Sequence, residues 1–456
     1  MYPTNTLSEK FKLFLTILWP ILVTQISMNM MNLVDTMMSG RAGTHDLAGV
    51  AIGSSLWLPI LTGIGGLWMA VTPMVAQDLG KNQLDRIPRR VIQALYLSVV
   101  VSILVIAAGS QILDPVLRFM DLDPEVQHIA KHYLIGLSVG IVPLFASNVL
   151  RYFFDAHGYT RITMQIMVLA LPVNIFLNYI MIFGKWGFPR LGGIGAGYAT
   201  GITYWFVLIV SVWMTFRVEA VKKYRLFLNW MKPSWKAWKD QLSIGIPIGL
   251  SVFFEASIFA VVTLMMGIQF DTITVAAHQS AISVTTLIFM FALSISMTLT
   301  IMVAYEAGAG RLKDARQYTR LGVAAAIGTL ASFSIALLFL REPIISLYTE
   351  ETAVLMMGKQ FLLFAIFYQL SDAVQASLQG VLRGYKDGNR TARGLYFIFL
   401  YRFRSVWLLG RHHDWPDKRR YRIPAAPPLA AKEAIRRPAS SLSAACIGCR
   451  CFGYAS

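Results

Sequence analysis

The sequence predicts an all-α polytopic membrane protein made of two similar six-helix bundles, the second of which lacks its last two helices. Three observations predict this fold. Of the 456 residues, 56% are hydrophobic and only 14% are charged, whereas about 25% are charged in soluble domains of ordinary composition. Long uncharged runs recur along the chain, and landmarks of its first half return in its second half. The lipid bilayer is therefore the solvent that this chain fits.

Ten apolar runs are long enough to cross a bilayer. The hydrocarbon core is roughly 30 Å thick, and a helix needs about 20 mostly apolar residues to span it. The runs end at charged residues or at clusters of glycine and proline, and they cover about 13–38, 47–76, 91–113, 132–154, 163–183, 193–216, 242–268, 275–304, 321–340 and 354–382. No short apolar region with a small-residue cleavage site begins the chain, so we expect the first run to be a retained helix.

The charges of the connecting loops predict the orientation of the chain. Loops after the even-numbered runs are basic, and the loop after the sixth run carries Arg217, Lys222, Lys223, Arg225, Lys232, Lys236 and Lys239. Loops after the third, seventh and ninth runs are rich in acids, while the loop after the fifth run, with Lys185 and Arg190, departs from the alternation. Basic loops stay in the cytoplasm. The N-terminus is therefore predicted to be cytoplasmic.

An internal repeat relates the two halves of the chain. Shifts of 226 to 228 positions superpose Pro20 on Pro247, Thr72 on Thr300, Asp78 on Glu306, Gly80 on Gly308 and Gly158 on Gly384. Such a period indicates duplication of a six-helix unit. An even number of spans gives both units the same orientation, so a pseudo-twofold axis along the membrane normal should relate them. We expect a first bundle over 1–220, a cytoplasmic linker over 221–240 and a second bundle over 241–390.

The last segment of the chain breaks this repeat. Residues 391–456 should mirror the fifth and sixth runs, yet they hold twelve Lys or Arg against three Asp or Glu. Their one apolar stretch is interrupted by Arg402 and Arg404 and is too short to span. We expect an aberrant, disordered basic tail, and our hypothesis is that the reading frame is lost near Arg390. The CIGCRC motif in this tail has no second pair of ligands, so zinc binding is not predicted.

Three carboxylates lie in the middle of otherwise uncharged runs. They are Asp35 in the first run, Glu255 in the seventh and Asp372 in the tenth, where Tyr368 lies one turn earlier on the same face. An ionised side chain inside a bilayer is costly, so such residues are functional candidates. No Lys or Arg is expected in mid-span to neutralise them, and this favours an exogenous cation. Oxygen ligands suit Na+, a desolvated carboxylate suits a proton, and the sequence leaves both open.

Each of these carboxylates also has a purely structural interpretation, in which it only bonds a neighbouring helix or faces a polar loop. The same holds for Asn174 and Asn178, which share one face of the fifth run and can hold helices together without any function. With Asp35 nearby, these amides could instead form a polar pocket in the first half.

Other classes of function fit the sequence poorly. The formal net charge of +17 comes from bases in short loops rather than from a basic face interleaved with aromatics, so nucleic acid is not a predicted partner. The GGIGAG run follows no strand, so it does not predict a dinucleotide site. His157 and His278 are isolated, and neither an enzyme activity nor a cofactor is expected.

Motifs in both halves are similar to those of one family of transporters. They are NLVDTMMSG, the pair TPMVAQDLG and IMVAYEAGAG, PVNIFLNYIMIFG with GGIGAGYAT, Glu255, and YQLSDAVQASLQGVLRGYKDGNR. Together they resemble the multidrug and toxic compound extrusion (MATE) family, in its NorM-like branch, over about residues 5–390. The resemblance implies twelve helices around a V-shaped cleft, and export of small organic cations or drugs driven by inward movement of Na+ or H+. We expect a monomer in the lipid bilayer.

The resemblance also implies two sites. The cation site of the second bundle is expected to comprise Glu255, Asp372 and Tyr368, with Glu255 and Asp372 as ligands if the ion is Na+. The polar pocket of the first bundle, for a proton or for cargo, is expected to comprise Asp35, Asn174, Asn178 and Thr200. Two alternatives stay open, namely a lipid-linked precursor flippase of the same superfamily and a non-functional truncated remnant.

Overall fold

The computed structural model describes residues 4, 6–120, 122–228, 231–269, 272–346 and 351–386, and in these residues every regular element is a helix. The helices are α1 (Leu7–Ala42), α2 (Thr44–Met69), α3 (Val71–Gly80), α4 (Arg86–Phe119), α5 (Pro124–Ser138), α6 (Ile141–Ala156), α7 (Thr160–Phe183), α8 (Gly193–Arg217), α9 (Glu219–Lys222), α10 (Trp235–Gln269), α11 (Thr272–Gly308), α12 (Leu312–Ser346) and α13 (Thr352–Gly384). The predicted basic tail, 391–456, lies outside the described residues.

All ten predicted apolar runs coincide with helices, and the all-α polytopic fold is confirmed. Within the described residues, seven helical segments are long and apolar enough to cross a bilayer, and two bent pairs of helices bring the number to as many as nine. The seventh predicted run coincides with α10. Hydropathy therefore located the helices, although it did not reveal how several of them are interrupted.

Three of the predicted runs are bent or broken. The second run divides at Ala70 into α2 and α3. The fourth run divides into α5 and α6, which meet at 49°, and α13 bends by 42° between Ile366 and Tyr368. Pro143 in the first turn of α6 has no N–H to donate back towards α5, so a continuous helix would lose a hydrogen bond at that point. Apolar composition continues across each interruption, and this is why hydropathy does not show them.

Two separate clusters of buried apolar side chains form the cores of the two halves. The first cluster draws its side chains mainly from α2 to α8 and includes Met31 from the second half of α1. The second cluster draws on α11 to α13, together with Phe14, Ile17 and Ile21 from the beginning of α1. The first helix of the chain therefore packs in both cores.

The two halves approach each other closely at glycines. Where α2 packs against α10, a Cβ on Gly66 would collide with the backbone of Gly249. Where α3 packs against α11, a Cβ on Gly80 would collide with the backbone at Tyr305. Small residues permit such approach between helices in lipid, where packing rather than the hydrophobic effect holds them together. The contact between α3 and α11 lies beside the basic loop that begins at Lys81.

Two ion pairs flank this contact and follow the internal repeat. Asp78 and Glu306 occupy equivalent positions in the two halves, and both are buried. Arg90 donates to the carboxylate of Asp78, and Arg311 Nε donates to Glu306 Oε2 at 2.6 Å. Each half therefore neutralises its buried acid with an arginine that follows the helix carrying that acid.

Candidate functional site

Asp35 lies at the centre of a buried polar network in the first half, and it is 4% exposed. Asn178 Nδ2 donates to Asp35 Oδ1 at 2.5 Å, and Thr200 Oγ1 donates to Asp35 Oδ2 at 2.8 Å. Asn178 Nδ2 also lies 3.1 Å from Asn174 Oδ1, and Asn174 Nδ2 donates to the Thr200 hydroxyl at 3.3 Å. The structure therefore brings together all four residues predicted for this pocket.

Three helices position these side chains. Asp35 comes from α1, which packs against α7, and α7 packs in turn against α8. Asn174 and Asn178 stand at i and i+4 on α7, so both amides face the same side of that helix. Thr200 comes from α8, where Gly197 lies directly against the backbone of α5. Because Gly197 has no side chain, α8 packs closely against α5, and the Thr200 hydroxyl lies within hydrogen-bonding distance of Asp35.

The carboxylate of Asp35 retains capacity to bind a cation or a proton. An ionised carboxylate has about four lone-pair sites, and the network occupies two of them. No salt bridge involves Asp35 among the described residues. The amide oxygen of Asn178 is also buried and has no hydrogen-bond partner. Oxygen atoms of this kind are ligands for hard cations, and the role of the pocket in transport stays a prediction.

The residues of the predicted second-half cation site lie on two helices. Asp372 is buried in α13, and Tyr368 lies half-buried one turn earlier on the same helix. Glu255 lies half-buried on α10, which packs mainly against α2, whereas α13 packs mainly against α11 and α12. Binding of one cation by all three residues stays a prediction.

Two arginines lie buried near the ends of their helices, outside the mid-span positions where no base is expected. Arg151 Nη2 on α6 donates to the Tyr152 hydroxyl at 2.7 Å, and its guanidinium lies 4.6 Å from the centre of that ring. Arg383 on α13 is 3% exposed, and its Nη2 donates to Gln379 Oε1 at 3.0 Å.

The buried charges that were not predicted lie close to the ends of predicted runs. Arg151 falls near the end of the fourth run, and Asp155 falls one residue beyond it, yet α6 continues to Ala156. Asp155 is buried, accepts a hydrogen bond from the Thr163 hydroxyl at 2.9 Å and interacts electrostatically with Arg151. Arg383 falls one residue beyond the tenth run, yet α13 continues to Gly384. Helical periodicity could have identified Arg383, since eleven residues, or about three turns, place it on the face that carries Asp372.

Comparisons with known proteins extend over most of the chain. Residues 20–180 and 247–403 match the MatE family model. The probable multidrug resistance protein NorM of Halalkalibacterium halodurans is 50% identical over 410 residues, which cover 90% of this chain and 88% of that protein. The probable multidrug resistance protein NorM of Bacillus subtilis is 48% identical over 410 residues, which cover 90% of this chain and 89% of that protein.

Solved structures of low sequence identity share the fold. The MATE transporter VcmN of Vibrio cholerae superposes with a TM-score of 0.80 at 18% identity, covering 89% of this chain and 91% of that one. The eukaryotic MATE transporter AtDTX14 superposes with a TM-score of 0.76 at 21% identity, covering 86% of each chain. By its family match, its relatives and its fold, the chain belongs to the MatE family, whose members are membrane transporters rather than enzymes.

Proposed function

We propose that this chain exports small organic cations in exchange for Na+ or H+, by alternating access to the two sides of a bacterial inner membrane. The observation that carries the proposal is Asp35, a carboxylate buried between three helices and without a salt bridge among the described residues. Such a charge is costly in a bilayer, and a bound cation or proton relieves that cost. The relatives' name, multidrug resistance protein, supports drug-like cargo.

Exchange requires that the coupling ion and the cargo favour different orientations of the two halves. Each ligand shifts the equilibrium only through its differential affinity for the two states. The close contact between Gly80 on α3 and the backbone of α11 supports a state in which the path is closed beside the basic loops. Those loops are cytoplasmic by the positive-inside rule, so we assign the closed end and the N-terminus to the cytoplasm.

The test uses the full chain in lipid vesicles and the fluorescent cation ethidium, with Na+ and pH gradients imposed separately. We expect at least one gradient to drive ethidium transport. Asp35→Asn keeps the size of the side chain and removes its charge, so it should lower gradient-driven transport at least tenfold. Asp85→Asn, at an exposed position, is the matched control and should behave as the wild type. Absence of wild-type transport under both gradients would refute the proposal.

A lipid-linked precursor flippase is the second candidate, and the buried arginines favour it. Arg151 and Arg383 place positive charge among the helices, and guanidinium groups bind phosphate through paired charge-assisted hydrogen bonds. Movement of a fluorescent lipid pyrophosphate between the leaflets of the same vesicles, without ethidium transport, would support this candidate over export.

A further inference from the structure

A cavity of about 380 Å³ lies where the beginning of α10 approaches α3 and α4. One side of its wall comes from α3 and from the first turns of α4, and the other side comes from Ser234 and the first turns of α10. Pockets that bind small molecules have volumes of about 300–1,000 Å³. The space is therefore large enough for a polar group of the size of a phosphate ester.

Positive charge predominates on the wall of this cavity. The wall includes four bases and one acid, namely Arg86, Arg89, Arg90, Lys236 and Asp240. Arg90 donates to the carboxylate of Asp78, which neutralises its charge. Among the described residues, no salt bridge involves Arg86, Arg89 or Lys236. Three bases and one acid then remain, and this surplus of two positive charges suits an anion.

Two helices begin at the cavity and add to its positive charge. α4 begins at Arg86 and α10 at Trp235, and the first turn of neither helix holds an acid. Asp85, at the N-cap of α4, accepts no hydrogen bond from that turn. The N-terminus of a helix carries partial positive charge, which acidic side chains usually compensate. Here Arg89 and Lys236 increase that charge instead, and N-termini of this kind bind phosphate through their N–H groups.

A buried amide in the wall has a donor without an acceptor. Gln241 of α10 is 4% exposed, and its Nε2 is buried and has no hydrogen-bond partner. Gln93 of α4 lines the same cavity, but its Nε2 donates to the Lys232 carbonyl and its Oε1 accepts from the Ser234 N–H, both at 2.8 Å. A buried donor is costly to leave without a partner. An oxygen of a bound phosphate ester would supply the acceptor that Gln241 lacks.

The position of the cavity favours a lipid as the source of the phosphate. Its bases belong to loops that the positive-inside rule places in the cytoplasm, and basic pockets between membrane helices on that side bind the headgroups of anionic lipids. Trp235, which is exposed, and Trp238 flank Lys236, and tryptophans are enriched at the level of the headgroups. The wall is apolar on the side of α3, where it consists of Val71, Met74 and Val75. Such side chains suit the carbon atoms of a phospholipid headgroup better than a free phosphate ion.

We propose that this cavity binds the phosphate of an anionic phospholipid of the cytoplasmic leaflet. Arg86 and Arg89 pair with the phosphate by charge-assisted hydrogen bonds, and Lys236 adds positive charge. The Gln241 amide donates to a phosphate oxygen. A lipid bound there contacts both α4 and α10, so it stabilises the packing of these helices. The inference concerns neither the coupling ion nor the cargo, and it does not rest on the proposed function.

The first test titrates the detergent-solubilised full chain with dioctanoyl phosphatidylglycerol at physiological ionic strength and follows its melting temperature. We expect a saturable rise, because a ligand that binds the folded state stabilises it. Arg86→Gln together with Arg89→Gln should weaken the apparent affinity at least tenfold. Arg316→Gln together with Arg320→Gln removes two exposed bases of α12 and is the matched control, which should titrate as the wild type. Equal affinities of the two double variants would show that only the overall charge attracts the lipid, and they would overturn the inference.

The second test separates binding from folding through Gln241→Met. Methionine has a similar length and removes the donor without a partner, so the variant without lipid should melt no lower than the wild type. Its apparent affinity for phosphatidylglycerol should nevertheless fall at least threefold. A lower melting temperature without lipid, combined with unchanged affinity, would show that Gln241 only packs in the protein, and this result would count against the site.

The third test identifies the source of the phosphate. The wild type is titrated with dioctanoyl phosphatidylcholine and, separately, with inorganic phosphate. Phosphatidylcholine carries the same phosphate but is neutral as a whole, so it should bind at least tenfold more weakly than phosphatidylglycerol. Inorganic phosphate should produce no saturable rise in melting temperature over the same concentrations. If it produced the same rise as phosphatidylglycerol, the cavity would be a site for a soluble anion and the assignment to lipid would be wrong.

Discussion

Lys10 of α1 donates a hydrogen bond to Asp314 of α12 at 2.5 Å, and this pair joins the first helix to the second half of the chain. Lys10 is buried, and its ammonium also donates to Gln317. The hydroxyls of Thr4 and Tyr318 lie 2.7 Å apart at the same place. The beginning of α1 is therefore hydrogen-bonded to the second half. Any rearrangement of the two halves at this end must either retain these hydrogen bonds or break them.

Lys10→Glu should lower the free energy of unfolding by at least about 3 kcal/mol, because it removes two hydrogen bonds of a charged group, which contribute about 1.5–3 kcal/mol each, and because it places two acids side by side. The melting temperature of the detergent-solubilised protein measures the effect. Lys12→Glu, at an exposed position, should change it little. Exchange of the charges, by Lys10→Glu together with Asp314→Lys, should recover part of the loss, and no recovery would contradict a direct pairing.

Gly80→Ala should both destabilise the protein and slow ethidium transport. A Cβ at Gly80 collides with backbone atoms of α11, which cannot move aside as a flexible side chain can, and such overpacking costs about 1–3 kcal/mol. Gly109→Ala is the matched control, because no atom lies within 4 Å of a Cβ built there. Equal melting temperatures and transport rates for the two variants would show that the halves do not require this close contact.

Thr200→Val should lower the free energy of unfolding by about 1.5–3 kcal/mol, because Asp35 loses one of its two donors at nearly constant side-chain volume. Thr203→Val is the control on the same helix, since the Thr203 hydroxyl donates only to the Ala199 carbonyl within its own turn. Melting temperature and ethidium transport are both measured. If Thr200→Val had the same melting temperature and transport rate as Thr203→Val, the Thr200 hydroxyl would not contribute to the stability or function of the pocket.

His157, at the end of α6, should make stability depend on pH. Burial lowers the pKa of His157 to about 4, and the ring lies 2.9 Å from the Phe153 carbonyl and 3.0 Å from the Tyr224 hydroxyl. In the unfolded chain a histidine has a pKa of about 6.5, so between about pH 6.5 and pH 4 the unfolded state binds more protons. Stability therefore falls as the pH decreases through that window and is unaffected by this group above it.

The measurement compares melting temperatures of the wild type and His157→Gln from about pH 5 to about pH 8. We expect the difference between the two proteins to shrink as the medium becomes more acidic, because only the wild type has to keep a buried imidazole neutral. The melting temperature of His128→Gln, a change at an exposed position, should depend on pH in the same way as that of the wild type. A constant difference between wild type and His157→Gln at all pH values would contradict the assignment.

The sequence was sufficient for the helices and, together with the family resemblance, for the grouping around Asp35, and it was insufficient for the buried arginines. Long apolar runs must be helical in lipid because their backbone groups have no other partners. Asp35 and Asn178 stand out as polar residues within such runs, and they lie together in the structure. Arg383 did not stand out, because its burial depends on how far α13 extends and on which helices surround it. Tertiary packing determines both, and hydropathy does not record it.

The shared packing of α1 has a consequence for biosynthesis. Phe14, Ile17 and Ile21 leave the ribosome about 300 residues before Tyr318, which belongs to the same cluster. At synthesis rates of about 5–20 residues per second, that delay is roughly 15 to 60 s. During this interval lipid or the insertion machinery has to cover the beginning of α1. Although α1 is made before α11 to α13, it is therefore complete in its packing only after they have been inserted.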